Sequence, residues 1–113
     1  MALTGERVET VVLARGLGRR VVVTHPTFNG RPQEWQVEID AIERRTTTDL
    51  ATGAVIEVVS FRGPTATPDG WSGRKTFYAP RCRRLHDLPT GETVESDIAG
   101  WLARLAAGAP TGR

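Results

Sequence analysis

The stretch EWQVEIDA, residues 34–41, decides the fold because apolar and polar residues alternate along it. The residues expected to face a core are Trp35, Val37, Ile39 and Ala41. Those expected to face water are Gln36, Glu38 and Asp40. A period of two predicts a strand in a sheet with one buried and one solvated face. Ile42 then breaks the alternation, which predicts a bulge or a twist at this point.

A second strand follows this one after a turn. The segment DLATG, residues 49–53, supplies turn-forming residues, and Gly53 can adopt a positive φ. The next segment, AVIEVVSF at residues 54–61, is almost continuously apolar. Together these segments predict a long hairpin, from about Glu34 to Phe61, at the centre of the fold.

The N-terminal part contains two further runs of β-branched residues. VETVVLA at residues 8–14 and RRVVVTH at residues 19–25 are separated by GLG at residues 16–18. We interpret them as two short strands joined by a hairpin turn, since a phosphate-binding glycine loop would lead into a helix. The segment 26–33, with two prolines and an Asn-Gly pair, is predicted to be a loop.

The C-terminal part combines loops, one strand and one helix. A loop is predicted for residues 62–73, a short strand for 74–79, and an irregular segment or one helical turn for 80–91. A helix is predicted from Thr93, as its N-cap, to Ala107, with Gly108 after its end. Its apolar stripe consists of Val94, Ile98, Trp101, Leu102 and Leu105.

These elements predict an α+β fold, in which a curled antiparallel sheet of about five strands packs on one C-terminal helix. The length of 113 residues is that of one domain. We therefore expect a single domain over residues 1–113, with loose ends at about 1–6 and 108–113.

The composition argues against several classes of function. Cys82 is the single cysteine, and with two histidines it leaves no set of metal ligands, so we expect neither a metal nor a cofactor. No signal peptide or membrane-spanning apolar run is recognisable, so we expect a cytoplasmic protein without a membrane partner. The net charge is only +2, although residues 54–89 carry six basic and three acidic residues.

Cys82 is the first candidate for chemistry. Arg81 and Arg83 flank it and would favour a thiolate, and His86 would come within reach if this segment were helical. Neither an orienting third residue nor an oxyanion-hole motif accompanies the pair. We therefore expect a half-exposed, unreactive cysteine in a basic loop.

The carboxylates Glu38 and Asp40 are a second candidate, because hydrolases use paired carboxylates. Such chemistry needs a cleft in which one of the two is desolvated. On a solvated sheet face, cross-strand ion pairs that involve Arg44, Arg45 and Glu57 explain these charges better. No catalytic residue is therefore assigned.

Basic and aromatic residues are interleaved between residues 71 and 84. The basic residues are Arg74, Lys75, Arg81, Arg83 and Arg84, and the aromatic residues are Trp71, Phe77 and Tyr78. Cations for phosphates and flat rings for bases are what a nucleic-acid surface requires. This interpretation requires the basic side chains to share one exposed face.

The leading hypothesis is a small non-enzymatic interaction module that docks a protein partner or a second copy of itself. Trp71, a large apolar ring in a loop, is its main positive indication, together with Phe77 and Tyr78. The edges of the long hairpin could also pair with another strand. Nucleic-acid binding through residues 71–84 is the alternative. A small-molecule site or an enzyme with a pocket in the curled sheet is the second alternative.

Overall fold

A computed structural model describes residues 4–27 and 29–108 of the chain. The strands are β1 (Glu6–Pro26), β2 (Pro32–Asp49), β3 (Val55–Ala66), β4 (Ser72–Tyr78), β5 (Arg84–Asp87) and β6 (Thr93–Val94), and the helix is α1 (Ile98–Ala107). They form one open antiparallel sheet in the order β4-β3-β2-β1-β5-β6, on which α1 packs. The predicted α+β fold with a curled sheet and a C-terminal helix is confirmed, with six strands where about five were expected.

β1 is one long strand, and the predicted N-terminal hairpin is wrong. It pairs antiparallel with β2 along its length and continues through residues 16–18 without reversing direction. Between Arg15 and Arg19, β1 takes four steps while β2 takes two, so β1 has two extra residues there. Gly16 and Gly18 have φ angles of 67° and 61°, which glycine adopts without steric cost. These glycines therefore bulge and bend a strand instead of ending it.

The sheet is also irregular in the middle of β2. Between Val37 and Ala41, β2 takes four steps while β3 takes three. Gly63 of β3 approaches this segment so closely that a Cβ on it would lie 1.8 Å from the carbonyl oxygen of Glu38. Ala41 and Ile42 are both buried, so the predicted break in alternation near Ile42 is confirmed.

The core lies between α1 and one face of the sheet. The sheet contributes Val21, Val23, Trp35, Val37, Ile39, Ile42, Phe61, Phe77 and Leu85. The helix contributes Ile98, Trp101, Leu102 and Ala106. Trp35 and Trp101 are thus core residues, as predicted. The other face of the sheet is solvated, since the described residues supply no second layer for it.

The helix begins at Ile98 and not near Thr93. Thr93 belongs instead to the short strand β6, which pairs with β5. The N-cap is Asp97, whose carboxylate Oδ1 accepts a hydrogen bond from the Gly100 amide at 3.1 Å. The carboxylate satisfies an amide that has no partner within the helix, which stabilises this end. Gly108 ends the helix, as predicted.

The connections are partly as predicted. The turn between β2 and β3 is confirmed, with the Asp49 amide bonded to the Ala54 carbonyl at 2.8 Å. The predicted loop 62–73 is largely wrong, since β3 and β4 leave only residues 67–71 between them. The segment 80–91 contains a 3-10 turn and also the unpredicted strand β5.

The predicted loose ends lie mostly outside the described residues, as does Phe28 of the loop 26–33. Within the described part, Glu6 already belongs to β1, and Gly108 caps α1. No helix in residues 4–27 and 29–108 has the length and apolar character needed to span a membrane.

Candidate interaction surface

Three strands continue beyond the end of the core. We call this part the sheet extension: residues 6–12 of β1, 43–49 of β2 and 55–59 of β3. None of its residues is buried. Val8 is 45% exposed and Ile56 is 64% exposed. Apart from Val59, which packs against the core, this three-stranded part has both faces in water and buries little apolar surface, so the monomer gains little stability from it.

A row of side chains crosses one face of the sheet extension. Val8 pairs with Thr47, and Thr47 pairs with Ile56. Directly opposed residues have Cβ atoms about 4.5–5.5 Å apart, so these three side chains form a continuous strip that ends at Val8. The neighbours of Val8 point to the opposite face, where Arg7 Nη2 lies 2.7 Å from Glu9 Oε1.

β1 has a free edge along the sheet extension. β5 pairs with β1 only over residues 21–24. Two further bonds flank this pairing, from the Leu88 amide to the Arg20 carbonyl and from the Arg83 amide to the Thr24 carbonyl. Over residues 6–19, no described strand pairs with β1 on the side away from β2. Alternate backbone amides and carbonyls therefore point outward, and residues 6–11 are all exposed. Such an edge is a template for another strand.

The outer edge of β4, residues 72–78, also has no partner strand among the described residues. The same holds for residues 55–59 of β3, which lie beyond the end of β4. The β4 stretch carries Arg74 and Lys75 and no acidic residue, and the β3 stretch carries only Glu57. Each of these edges thus has charge of one sign, whereas residues 6–12 of β1 have both signs.

The predicted partner-binding aromatics do not form one exposed cluster. Phe77 is fully buried and stacks on Phe61 with ring centroids 5.2 Å apart, so it belongs to the core and is not available to a partner. Trp71 is 46% exposed, yet its ring folds back edge-on against Trp35 at 5.9 Å. Tyr78 is exposed on the opposite face of β4 from Phe77.

The basic residues predicted for a nucleic-acid surface lie on several elements. They are divided among β4, the turn before β5, and β5: Arg74, Lys75, Arg81, Arg83 and Arg84. Three strands lie in the sheet between β4, which carries Arg74, and β5, which begins at Arg84. Arg74 Nη2 lies 3.2 Å from the Asp40 carboxylate. Lys75 points to the other face, where its Nζ lies 4.9 Å from the centre of the Trp35 ring.

Cys82 and His86 do not form a catalytic pair. His86 lies in β5, so the segment is not helical, and its Nδ1 lies 2.9 Å from Thr93 Oγ1. Burial raises the pKa of the Cys82 thiol to about 12 despite the adjacent arginines. A thiol with this pKa stays protonated at neutral pH and is a poor nucleophile. Within the described ranges, no three side chains of the metal-binding types converge.

The solvated face carries ion pairs, and Asp40 forms one as expected, although its partner is not one of the predicted residues. Asp40 pairs with Arg74, and Glu43 Oε1 lies 3.6 Å from Arg62 Nε. The charged residues for which we expected pairs, and which form none among the described residues, are Glu38, Arg44, Arg45 and Glu57. The carboxylates of Asp40 and Glu43 thus form ion pairs at the surface and do not converge in a cleft.

A groove on the solvated face is the feature closest to the predicted pocket. Its volume is about 490 Å³, and its lining includes Arg20, Gln36, Glu38, Ser72 and Leu88. This volume falls within the range of small-molecule sites. The groove is a broad surface depression and not an enclosed cavity. A small molecule bound there would therefore keep much of its surface in water.

His25 is buried near Phe77, with ring centroids 5.2 Å apart. Its Nδ1 lies 2.9 Å from the Pro26 carbonyl oxygen, while Nε2 has no partner in the described part of the chain. Burial lowers the pKa of His25, and the nearby charges of Lys75 and Arg81 lower it further. The imidazole is therefore neutral at pH 7, and only one of its nitrogens is satisfied.

The free edge of β1 was not identified from the sequence. The hairpin interpretation assigned residues 19–25 as the partner of residues 8–14, which would have covered this edge. The available signal was length, since the 21 residues of β1 equal the 18 residues of β2 plus the three extra residues in the bulges of β1. No protein-family model matches the chain, and the searches of curated proteins and of solved structures found no match.

Proposed function

We propose that the protein is a non-enzymatic interaction module that binds an extended segment of a protein partner along the free edge of β1. The observation that carries the proposal is the unpaired edge over residues 6–12 in the exposed sheet extension. A strand added there would bond to the outward amides and carbonyls of β1 and would lie beside Val8 and Val11.

The edge lacks most of the devices that usually prevent strand addition. Residues 6–12 contain neither proline nor lysine, which are common on protected edges, and their charges are those of Glu6, Arg7 and Glu9. The first bulge against β2 comes only between Val12 and Ala14. The stretch is therefore regular for long enough to accept a strand of typical length.

The other two candidate functions have less support. Nucleic-acid binding would use a contiguous basic surface, and the basic residues lie on different faces and strands. A small-molecule site would use convergent polar groups in an enclosed pocket, and the groove near Gln36 is open.

Site-specific photo-cross-linking in cells tests the proposal. A photoreactive residue at Thr10, which is exposed on β1, should give adducts with a partner. The matched control is Gln36, which is exposed on β2 between β1 and β3. Adducts from Thr10 and not from Gln36 are expected. The absence of adducts from Thr10, or equal adducts from both positions, would contradict the proposed function.

A further inference from the structure

We propose that the partner at this edge is a second copy of the chain, paired antiparallel about a two-fold axis that passes through Val8. The inference rests on the proposed function and names its occupant. The two copies of β1 would join two sheets into one continuous sheet. The interface would be isologous, so that it closes after two copies.

Charge complementarity sets the register. With the axis at Val8, Arg7 of one copy lies opposite Glu9 of the other, and the pairing occurs twice. These side chains already share one face, where Arg7 Nη2 and Glu9 Oε1 are 2.7 Å apart. Association would convert one ion pair in each copy into a cluster of four alternating charges, and opposite charges in cross-strand positions stabilise a sheet.

Neighbouring registers lack this complementarity. An axis at Arg7 places two Arg7 side chains opposite each other, and an axis at Glu9 does the same with two carboxylates. An axis at Thr10 places no charged residues opposite each other. An axis at Val12 would set Glu9 against Arg15, but the bulge between Val12 and Ala14 interrupts that ladder.

The other free edges offer no attractive register to their own copies. β4 carries Arg74 and Lys75 and no acidic residue, and residues 55–59 of β3 carry only Glu57. Self-pairing of these edges therefore never places opposite charges against each other, and like charges in directly opposed positions are destabilising. Among these edges, the β1 edge is the one that has a register with opposite charges in opposed positions.

The strip of side chains that ends at Val8 supports the same register. Val8 ends the strip formed with Thr47 and Ile56. With the axis at Val8, the two strips meet and form one row across six strands. Val8 has no cross-strand neighbour on the free side of β1 in the monomer, and in the dimer it would lie opposite Val8 of the second copy.

Sedimentation of the wild-type chain and two charge-reversed variants tests this inference. Arg7→Glu gives a copy with acidic residues at both positions 7 and 9, and Glu9→Arg gives a copy with basic residues at both positions. Each should raise the dimer dissociation constant roughly tenfold or more, because two attractive pairs become repulsive. An equimolar mixture of the two variants should form a dimer again, as should the double variant Arg7→Glu/Glu9→Arg.

Both side chains are exposed, so the variants should keep the wild-type circular dichroism and thermal midpoint. A monomeric wild-type chain at every concentration would overturn self-association, as would a dimer that neither substitution weakens. The Thr10 cross-links separate this failure from that of the proposed function. Adducts with another protein would then retain the function, and the absence of any adduct would overturn it.

Discussion

Asp87 is fully buried, and Arg19 holds it through two hydrogen bonds, Nε to Oδ1 at 2.8 Å and Nη2 to Oδ2 at 2.5 Å. Thr90 Oγ1 donates a third bond to the same carboxylate at 2.5 Å. The pair joins the end of the glycine bulge in β1 to the turn after β5. The contact therefore holds the end of the bulge next to the residues of β1, 21–24, that pair with β5.

Replacing Asp87 should destabilise the fold. Asp87→Asn keeps the shape but removes the charge from a buried, bidentate contact, so we expect a loss of about 1–3 kcal/mol in the free energy of unfolding. Urea titration measures the loss. The matched control is Asp40→Asn, which removes an exposed pair with Arg74 and should cost less than about 1 kcal/mol. Equal effects of the two variants would contradict this role of Asp87.

The same contact predicts a loss of stability in acid. The hydrogen bond from Arg19 and the bond from Thr90 lower the pKa of Asp87 below its ordinary value, against the opposing effect of burial. A carboxyl with a lowered pKa stabilises the fold fully above its unfolded pKa of about 3.9, and this contribution is lost as the pH falls through the folded pKa. The difference in stability between wild type and Asp87→Asn should therefore shrink below about pH 4. A constant difference from pH 7 to pH 2 would contradict the assignment.

Gly63 should tolerate no side chain. A Cβ there would lie 1.8 Å from the Glu38 carbonyl oxygen, which is backbone and cannot move aside. We expect Gly63→Ala to cost about 3 kcal/mol or to prevent folding. Gly108→Ala is the control, because its nearest atom would be 3.6 Å away. Thermal unfolding that is equally unaffected by both substitutions would show that the strands do not approach as described.

Cys82 should resist alkylation in the folded protein. Burial raises the pKa of its thiol to about 12, so the thiolate fraction at pH 8 is about one in ten thousand. Reaction with iodoacetamide should be slow in buffer and fast in urea, where the pKa returns to its ordinary value. Rapid labelling of the folded chain would restore the hypothesis of a reactive cysteine.

Trp71 should contribute to stability and not to association. Its ring packs edge-on against Trp35 at 5.9 Å, and such a pair contributes about 0.5–1.5 kcal/mol. Trp71→Ala should lower the free energy of unfolding by about 1 kcal/mol while the dimer dissociation constant stays unchanged. A loss of the dimer would move the interaction surface from β1 to the turn at residues 67–71.

The sequence predicted the central hairpin well because the pattern there is local. Trp35, Val37 and Ile39 alternate strictly, and Gly53 marks the turn, so periodicity and turn chemistry agree. The helix was also clear, since Trp101 and Leu102 extend a stripe of helical spacing. The pattern within each of these segments was enough to predict it, whatever strand or helix it contacts in the fold.

The sequence failed where long-range pairing decides the structure. Gly16 and Gly18 suit a hairpin turn and a bulge equally well, and only the pairing of β1 with β2 selects the bulge. His86 lies in a segment with no strand pattern, and the pairing of β5 with β1 makes it a strand. The free edge of β1 results from the pairing of β1 with β2, so the proposed site could not be predicted without knowing how the strands pair.

Amide hydrogen exchange along β1 tests the central claim most directly. In residues 6–12, the amides that point away from β2 have no partner in the monomer and should exchange fast there. In the wild-type chain at high concentration these amides should be protected, and in the Arg7→Glu variant under the same conditions they should exchange fast. Equal exchange rates in the two proteins would show that the β1 edge does not bind a second copy.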